Sequence, residues 1–509
     1  MGIVETDLLT QRVNPELSSQ HGGSGDASGK FNKGVGRQVI GLFGANILTL
    51  AVVGLSFLAY SKLLSPPEFG LYAMALSAAT LSALVLDGGL KTTIIKLKGS
   101  LPRDEEASIA LLMLLVSLVL IVVLVVAGKT FLSRFAGLKH DVTFVSLYVG
   151  ITLLSYPFFT IPTAMLERQL KYGHIAWIES IGMMLERAAP ALLLIWTSVG
   201  LYAFVWALLI SRVFRIGVLS TFHRINLFAA SRRGMKNSFE LFKEGGWIQL
   251  GTVSAVVRDN LHTLLVGPLF GKAWIGYYAW ALQVCLVSSQ IFAQISARVS
   301  LPMMAQADTF EERWPKCLYQ IRLLAVLTIP MLCAVWIALP TANSYFFSGK
   351  WQPALTLIPL FFLRMVPGVA TTPLGPLIMV HKGGRVYAIV NILWTIAEIL
   401  VASFLLKAIG PEGLAWSCAF VVWAGLWLMI RALGQQTIRL SKDVVRKLLK
   451  HRSVAFVVPV SICLASFFWY RHRSVEAEPA LIFIMAAALV LFSYFLAPEL
   501  RKLLNNEKT

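Results

Sequence analysis

The sequence predicts an all-α polytopic membrane protein of about 14 transmembrane helices, arranged as two pseudo-symmetric six-helix lobes and two C-terminal helices. The chain has 509 residues, of which 57% are hydrophobic and 14% are charged. Soluble proteins carry about 25% charged residues. Apolar runs such as residues 109–127 reach the length of about 20 residues that a transmembrane helix needs. A repeated octamer, given below, predicts the two lobes.

The chain begins with a polar stretch, residues 1–37, which is rich in Gly and Ser around positions 21–30. This composition predicts a flexible tail. The stretch has no apolar core followed by a cleavage site, so we expect no cleaved signal peptide. The predicted transmembrane segments are 38–62, 67–90, 107–127, 141–163, 174–197, 199–222, 246–268, 272–298, 318–343, 353–379, 385–407, 411–433, 453–470 and 478–496.

Two connections rich in Lys and Arg divide these segments into six, six and two. The first connection predicts an amphipathic helix at the cytoplasmic face, with its Leu and Phe side chains in the membrane interface. The predicted organisation is a flexible cytoplasmic tail (1–37), an N-terminal lobe (38–222), an amphipathic linker (223–245), a C-terminal lobe (246–433), a basic cytoplasmic linker (434–452), two additional helices (453–496) and a cytoplasmic tail (497–509).

The two lobes carry similar octamers. FGLYAMAL runs from Phe69 to Leu76, and IGYYAWAL runs from Ile275 to Leu282. Gly, Tyr, two Ala and Leu occupy the same relative positions in both. Each octamer follows an apolar segment and a short break, which indicates that one half of the molecule is duplicated in the other.

The net charge of +19 is explained by membrane topology. When successive connections are numbered alternately, one set holds 33 of the 45 Lys and Arg residues and the other holds nine. The positive-inside rule then places both termini in the cytoplasm, and nucleic acid is not an expected partner. The five Cys residues have no CxxC spacing and lie in or beside apolar segments, so we expect neither a metal site nor a disulfide framework.

Three arginines, Arg187, Arg258 and Arg364, fall near the middle of their predicted segments. A charge at mid-depth costs roughly 2.5–3.5 kcal/mol on insertion scales, so it usually faces a cavity or a partner. Because guanidinium groups bind phosphate and carboxylate with paired hydrogen bonds, these arginines predict an anionic substrate. They and His262, which lies one turn beyond Arg258, are the candidate substrate-binding residues.

Four acidic residues also lie well inside predicted segments, away from their ends: Glu179, Glu186, Asp259 and Glu398. They are candidates for carrying a coupling proton or cation. Alternatively, they only neutralise the buried arginines. An arginine that binds substrate and one held in a salt bridge look the same in sequence, so both interpretations remain open.

Arg258 shares a predicted helical face with Gly251, Ser254 and His262. Small and polar residues at this spacing are typical of a face lined by water or substrate. Asp259 points about 100° away, so it does not simply cancel the charge of Arg258. The sequence contains no GxxxxGK[ST] loop, no cluster of His and no DxD motif, and we expect no metal or other cofactor.

Three stretches carry a family resemblance: residues 63–96, 164–179 and 258–283. They resemble the polysaccharide flippases, in the O-antigen and exopolysaccharide branch, of the multidrug/oligosaccharidyl-lipid/polysaccharide exporter superfamily. The resemblance covers about residues 38–433. It implies two lobes around a central cavity, alternating access, and a glycan on a polyprenyl diphosphate as the substrate. It also implies that the first helix of each lobe lines the cavity, which favours Arg258.

The expected function is therefore to flip lipid-linked oligosaccharide across the bacterial inner membrane, with no catalytic residues. The glycan would belong to O-antigen, capsule or exopolysaccharide. Expected partners are this substrate, membrane lipids, and a glycan polymerase or other biosynthesis proteins. An ion-coupled multidrug exporter of the same fold is one alternative, although the first segment has no acidic residue. A second alternative, a membrane glycosyltransferase or glycan polymerase, would need catalytic carboxylates on a sizeable loop, whereas the connections here are short. A third, a non-transporting scaffold, would have no use for the buried charged residues.

Overall fold

A computed structural model describes residues 51–91, 101–131, 141–169, 171–305 and 309–434, together with 49 and 94. Within these ranges the regular structure is helical and no strand occurs. Six stretches are long and apolar enough to cross a membrane, so the chain is a multi-pass membrane protein. The predictions for the tail at 1–37 and for everything beyond 434, including the helices at 453–496, lie outside the described residues.

The described helices longer than ten residues fall on the first twelve predicted segments, one to each segment. The first six are α1 (Ala51–Leu63), α2 (Pro66–Asp87), α3 (Arg103–Phe131), α4 (Asp141–Arg168), α5 (Tyr172–Trp196) and α6 (Tyr202–Phe222). The next six are α7 (Arg232–Asp259), α8 (Lys272–Ala305), α9 (Phe310–Phe346), α10 (Ile358–His381), α11 (Gly384–Ile409) and α12 (Gly413–Leu433).

The same helix pairs pack together in both halves. In the first half α4 packs against α2, α3 and α6, and α5 packs against α6. In the second half α10 packs against α8, α9 and α12, and α11 packs against α12. Each pair in one half therefore has its counterpart six helices later. This is the packing expected of two lobes of similar fold, and the all-α fold class is confirmed.

The seventh helix begins earlier than the sequence predicted. The predicted segment starts at residue 246, whereas α7 starts at Arg232 and includes much of the predicted linker. The Ser231 side chain accepts a hydrogen bond from the Gly234 N–H at 2.9 Å and caps the helix. No proline lies between the cap and Asp259, so nothing stops the helix at the membrane boundary. The linker and the seventh span are one continuous helix.

The two lobes are in close contact where α2 crosses α8. A Cβ atom added at Gly70 would overlap the Lys272 carbonyl oxygen, and one added at Gly276 would overlap the Pro66 carbonyl oxygen. These glycines are the matched glycines of the two octamers. Because they have no side chain, the two backbones touch. The duplicated octamer is therefore the place where the duplicated halves meet.

Residues of the second lobe also bind the carboxyl end of α1. Lys350 donates hydrogen bonds to the carbonyl oxygens of Lys62 and Leu64, at 2.6 and 2.8 Å. The Trp351 indole N–H donates to the Ser61 carbonyl oxygen at 2.8 Å. The last carbonyl groups of a helix lack partners within the helix and carry partial negative charge, so an ammonium group is well placed there. These bonds fasten the lobes together beside the glycine crossing.

We expect Gly276→Ala to destabilise the protein by about 1–3 kcal/mol, because the added methyl group forces two packed backbones apart. A lower melting temperature of the purified protein in detergent would report this loss. Gly217→Ala is the matched control, since a Cβ atom at Gly217 on α6 meets nothing within 4 Å. Equal melting temperatures for Gly276→Ala and the native protein would contradict the close crossing.

A pH-dependent contact joins the end of α6 to the start of α3. His223 forms an ion pair with Glu106, and this hydrogen bond raises the pKa of His223 above its ordinary value of 6.5. A histidine whose pKa is raised in the folded protein stabilises the fold at pH values below its pKa in the unfolded chain. This stabilisation is lost as the pH rises through the pKa of the folded protein.

We therefore expect His223→Gln to lower the melting temperature at about pH 6 and to have little effect at about pH 9. The same decrease at both values would contradict a role for the charged imidazolium.

Candidate functional site

A cavity of about 580 Å³ lies between the lobes. Its walls come from α1, α2 and α5 of the first lobe and from every helix of the second lobe. Four predicted substrate-binding residues and one predicted coupling residue line it: Arg187, Arg258, Arg364, His262 and Asp259. Residues predicted from their positions within apolar segments thus converge on one cavity.

Arg258 lies near the end of α7 and packs against α11. Its guanidinium carbon lies 3.7 Å from the centre of the Trp394 ring, and its Nη1 donates to the Asn391 side-chain oxygen at 3.5 Å. The residue is 8% exposed. Within the described part of the chain no carboxylate forms an ion pair with it. Arg258 therefore brings to the cavity wall a positive charge with no carboxylate in direct contact.

The helix changes its geometry directly after Arg258. The regular turns of α7 end at Asp259, and His262–Val266 form a π-helical turn. Pro268 explains this change, because its ring cannot fit against the carbonyl of a regular turn before it. His262, at the start of this turn, lies on the cavity wall, and its Nδ1 has no hydrogen-bond partner among the described atoms. Such π turns often occur at functional sites.

Arg364 pairs directly with Asp259. The Arg364 Nη2 lies 2.5 Å from the Asp259 Oδ1, which joins α10 to the end of α7. The Asp259 side chain is 60% exposed and both residues line the cavity. Asp259 therefore balances the charge of Arg364, whereas Arg258 has no carboxylate in direct contact.

Arg187 is the cationic residue of the first-lobe wall. Its Nη1 donates to the Tyr72 hydroxyl at 2.9 Å, and Tyr60 and Tyr148 are among its electrostatic neighbours. Glu186, its neighbour in sequence, forms its ion pair elsewhere. No ion pair of Arg187 occurs among the described residues. The two cations without a carboxylate partner thus lie on opposite lobes.

The two glutamates of α5 are paired with Arg215 of α6. Arg215 lies 3.4 Å from Glu179 and 3.6 Å from Glu186. The Gly182 position between them leaves room for the Arg215 side chain, which a Cβ atom there would overlap. Neither glutamate lines the cavity. This geometry favours the alternative in which Glu179 and Glu186 neutralise a buried arginine.

Sequence alone did not reveal this pairing. Arg212 and Arg215 lie in the second half of the sixth predicted segment, and both are buried within α6. The Arg212 guanidinium lies 4.7 Å from the centre of the Phe159 ring. Two features of the sequence are consistent with the pairing. Arg215 lies four residues after Ser211, and Glu179 and Glu186 lie seven residues apart on the preceding helix. Arginines near the end of a membrane helix usually reach the aqueous surface, so their position alone does not indicate burial.

The predicted water-lined face of α7 was also wrong in part. A Cβ atom at Gly251 would press against Tyr387 and Ala388 of α11, and the Ser254 carbonyl accepts a hydrogen bond from Thr395 at 2.9 Å. Neither Gly251 nor Ser254 lines the cavity. Small residues are needed on this face because they allow α7 and α11 to approach closely. Only Arg258 and His262 of the predicted face reach the cavity.

Glu398 lies on α11 and does not line the cavity. It is 1% exposed, and its Oε1 has no hydrogen-bond partner among the described atoms.

The described part of the chain contains no group of three or more His, Cys, Asp or Glu residues that could hold a metal ion.

Residues 59–356 match the family described as Polysaccharide biosynthesis protein. The chain is 21% identical over 340 residues to the "Uncharacterized membrane protein in cps region" of Klebsiella pneumoniae, covering 65% of this chain and 68% of that protein. It is 22% identical over 353 residues to the "Lipopolysaccharide biosynthesis protein WzxC" of Escherichia coli K12, with the same coverage.

The fold is similar to that of a solved structure described as "Lipid II flippase MurJ, inward closed conformation". The TM-score is 0.64 at 14% sequence identity, and the alignment covers 91% of this chain and 99% of that one. At this level of identity the similarity concerns the fold.

We expect Arg215→Met to destabilise the protein by about 3 kcal/mol, because it leaves two carboxylates without their partner. This is the low end for a buried pair, since Glu179 is 36% exposed. Adding Glu179→Gln and Glu186→Gln to Arg215→Met should recover most of the melting temperature. Arg431→Met, at an exposed arginine of α12, is the control. A further decrease on adding the two Gln substitutions would show that the glutamates do not act as counter-ions of Arg215.

Proposed function

Because the chain belongs to the polysaccharide biosynthesis protein family, we propose that it flips a lipid-linked oligosaccharide across the bacterial inner membrane. The proposed substrate is a glycan joined to a polyprenyl diphosphate. The fold similarity to a lipid II flippase supports this proposal. The protein then acts as a transporter, since it moves its substrate without a chemical reaction.

The observation that carries the proposal is the pair of cavity arginines that have no carboxylate in direct contact. Arg258 and Arg187 face the cavity from opposite lobes and have no carboxylate partner among the described residues. A buried cation without a partner is costly, so a substrate that brings two negative charges is favoured. A diphosphate offers acceptor oxygens that guanidinium groups bind with paired hydrogen bonds. A cationic drug would instead meet repulsion.

The rest of the cavity suits a carbohydrate. Its wall carries hydroxyl and amide side chains, which can donate and accept hydrogen bonds with sugar hydroxyl groups. Aromatic and aliphatic side chains line much of the remainder. The volume of about 580 Å³ falls within the range of about 300–1,000 Å³ that is usual for ligand sites. The polar wall residues are Ser77, Thr80, Asn260, Gln283, Thr328, Thr371 and Thr372.

The proposed orientation follows from the distribution of Lys and Arg, which favours cytoplasmic termini. In that orientation the contact between Gly70 and Gly276 lies toward the outer face. This contact therefore joins the lobes on the side where the proposed substrate would leave. We further propose that the glycan belongs to O-antigen, capsule or exopolysaccharide, and that a glycan polymerase and other biosynthesis proteins are the partners. The names of the two relatives support this assignment.

The test uses sealed vesicles that contain the purified protein and a labelled oligosaccharide on undecaprenyl diphosphate. Accessibility of the label to an added glycosidase reports movement between leaflets. We expect the native protein to move the lipid and Arg258→Gln to be slower by about tenfold or more, because one charged hydrogen-bonding partner of the diphosphate is lost. Arg431→Gln, at an exposed arginine of α12, should match the native rate.

Two results would count against the proposal. If the native protein moves no lipid-linked oligosaccharide, the substrate class is wrong. If Arg258→Gln folds and moves the lipid at the native rate, Arg258 has a structural role and the cavity does not bind the diphosphate through it.

A further inference from the structure

The connection between α6 and α7 displays an aromatic side chain that no other described residue covers. We call residues 223–236, which join the end of α6 to the first turn of α7, the elbow. Phe228 in the elbow is 99% exposed, whereas Ile225 and Leu227 pack against the core. A Phe side chain gains stability when it leaves water, so the position of Phe228 indicates an apolar environment outside the chain.

Hydrogen bonds to α3 hold the elbow in place. The Ser231 hydroxyl donates to the Asp104 carboxylate at 2.9 Å, and the Ser231 N–H donates to the Ser108 hydroxyl at 3.0 Å. The Asn226 side-chain oxygen accepts a hydrogen bond from the Phe228 N–H at 3.2 Å, which stabilises the short turn that carries the ring. Phe228 therefore projects from a turn that is bonded to its surroundings on both sides.

These contacts place the elbow at the membrane boundary. Ser108 belongs to the third predicted transmembrane segment, 107–127, and Phe222 ends the sixth. A Cβ atom at Gly234 would overlap the Ser108 hydroxyl, so the first turn of α7 lies directly against the third segment. Because two membrane spans have their ends beside the elbow, it lies at the depth of the lipid headgroups.

The elbow also carries positive charge. Its exposed basic side chains are Arg224, Arg232, Arg233 and Lys236. The sequence has no Asp or Glu from residue 221 to residue 238. Two acids of α3 are already bonded, Asp104 to Ser231 and Glu106 to His223. None of the four basic residues forms an ion pair among the described residues, so their charge is available to a partner outside the chain.

We propose that the elbow is a binding site for anionic phospholipid in the adjacent leaflet, which is the cytoplasmic one in the proposed orientation. The Phe228 ring enters the bilayer just below the headgroups, and Arg224, Arg232 and Arg233 donate hydrogen bonds to the lipid phosphates. Guanidinium groups bind phosphate with paired hydrogen bonds. Each basic residue near an anionic membrane surface strengthens the attraction by about fivefold. The site is independent of the substrate that the protein transports.

A lipid fits the elbow better than a protein partner does. Phe228 is the only exposed apolar residue of the elbow, and one ring gives too little apolar area for a stable protein interface. The bilayer already surrounds the neighbouring spans, so one ring and several guanidinium groups are enough to hold its headgroups. The elbow continues into α7, whose last turn carries Arg258. Bound lipid would therefore fix the start of the helix that brings this arginine to the cavity.

The experiment measures lipid binding to the purified full-length protein by native mass spectrometry. The probes are phosphatidylglycerol, which is anionic, and phosphatidylcholine, which has no net charge, with the same acyl chains. We expect the native protein to bind phosphatidylglycerol at least about tenfold more tightly than phosphatidylcholine, because several basic residues attract the anionic headgroup. Equal affinity for the two lipids would overturn the proposal.

Substitution of two arginines tests where the anionic lipid binds. Arg232→Gln with Arg233→Gln should weaken phosphatidylglycerol binding by at least about tenfold and leave phosphatidylcholine binding unchanged. Lys382→Gln with Arg431→Gln is the matched control, since it removes the same charge from exposed residues of the second lobe. The control should bind both lipids as the native protein does. Equal losses in the two double variants, or no loss in the first, would overturn the assignment to the elbow.

Substitution of the exposed ring tests whether the partner is the bilayer. We expect Phe228→Ser to weaken phosphatidylglycerol binding by about fivefold or more, because the ring no longer enters the bilayer. Unchanged binding would show that the arginines hold a headgroup without insertion, and the bilayer would then be the wrong partner.

A salt titration of the native protein replaces the arginine variant if that variant does not fold. The preference for phosphatidylglycerol should fall as salt rises from about 0.05 M to about 0.5 M, since salt screens exposed charges. A preference that does not change with salt would overturn the proposal.

Discussion

The close crossing of α2 and α8 is the contact on which the arrangement of the two lobes depends. Gly70 and Gly276 allow two backbones to touch, and no larger residue fits at either position. The cavity lies between the lobes and is lined by residues of both helices, among them Ser77 of α2 and Gln283 of α8. Lys350 adds hydrogen bonds from the second lobe to the carboxyl end of α1. Alternating access across the proposed membrane orientation would have to break both contacts, so they set the energy needed to open that side.

Duplication explains the helix packing that the two lobes share, and sequence divergence between the lobes explains where the charged residues lie. Tyr72 and Tyr278 occupy the same position in the two octamers. The Tyr278 hydroxyl donates to the Pro411 carbonyl and accepts from the Ala415 N–H, which holds α8 to the turn before α12. The Tyr72 hydroxyl instead accepts from Arg187. One position thus serves packing in the second lobe and orients a cavity cation in the first.

The order of the helices and the convergence of the arginines could be predicted because both follow from the cost of leaving polar groups in lipid. Apolar length marks each helix, and Arg187, Arg258 and Arg364 must face something polar. The partner of each buried charged residue could not be predicted, since it depends on how each helix is rotated about its axis relative to its neighbours. Arg215 is the clearest example. It reaches Glu179 and Glu186 only because Gly182 leaves space on the facing helix.

The pattern of pairing also restricts how the cavity can discriminate between substrates. Where every cation has its own carboxylate, a bound anion must displace a partner and gains little net energy. Arg364 and Asp259 form such a pair, so they favour neither charge strongly. Arg187 and Arg258 have no such partner, and a ligand that brings two negative charges restores balance across both lobes. The preference for anions that the proposed function requires would therefore depend on the lack of a carboxylate in contact with Arg187 and Arg258 as much as on the arginines themselves.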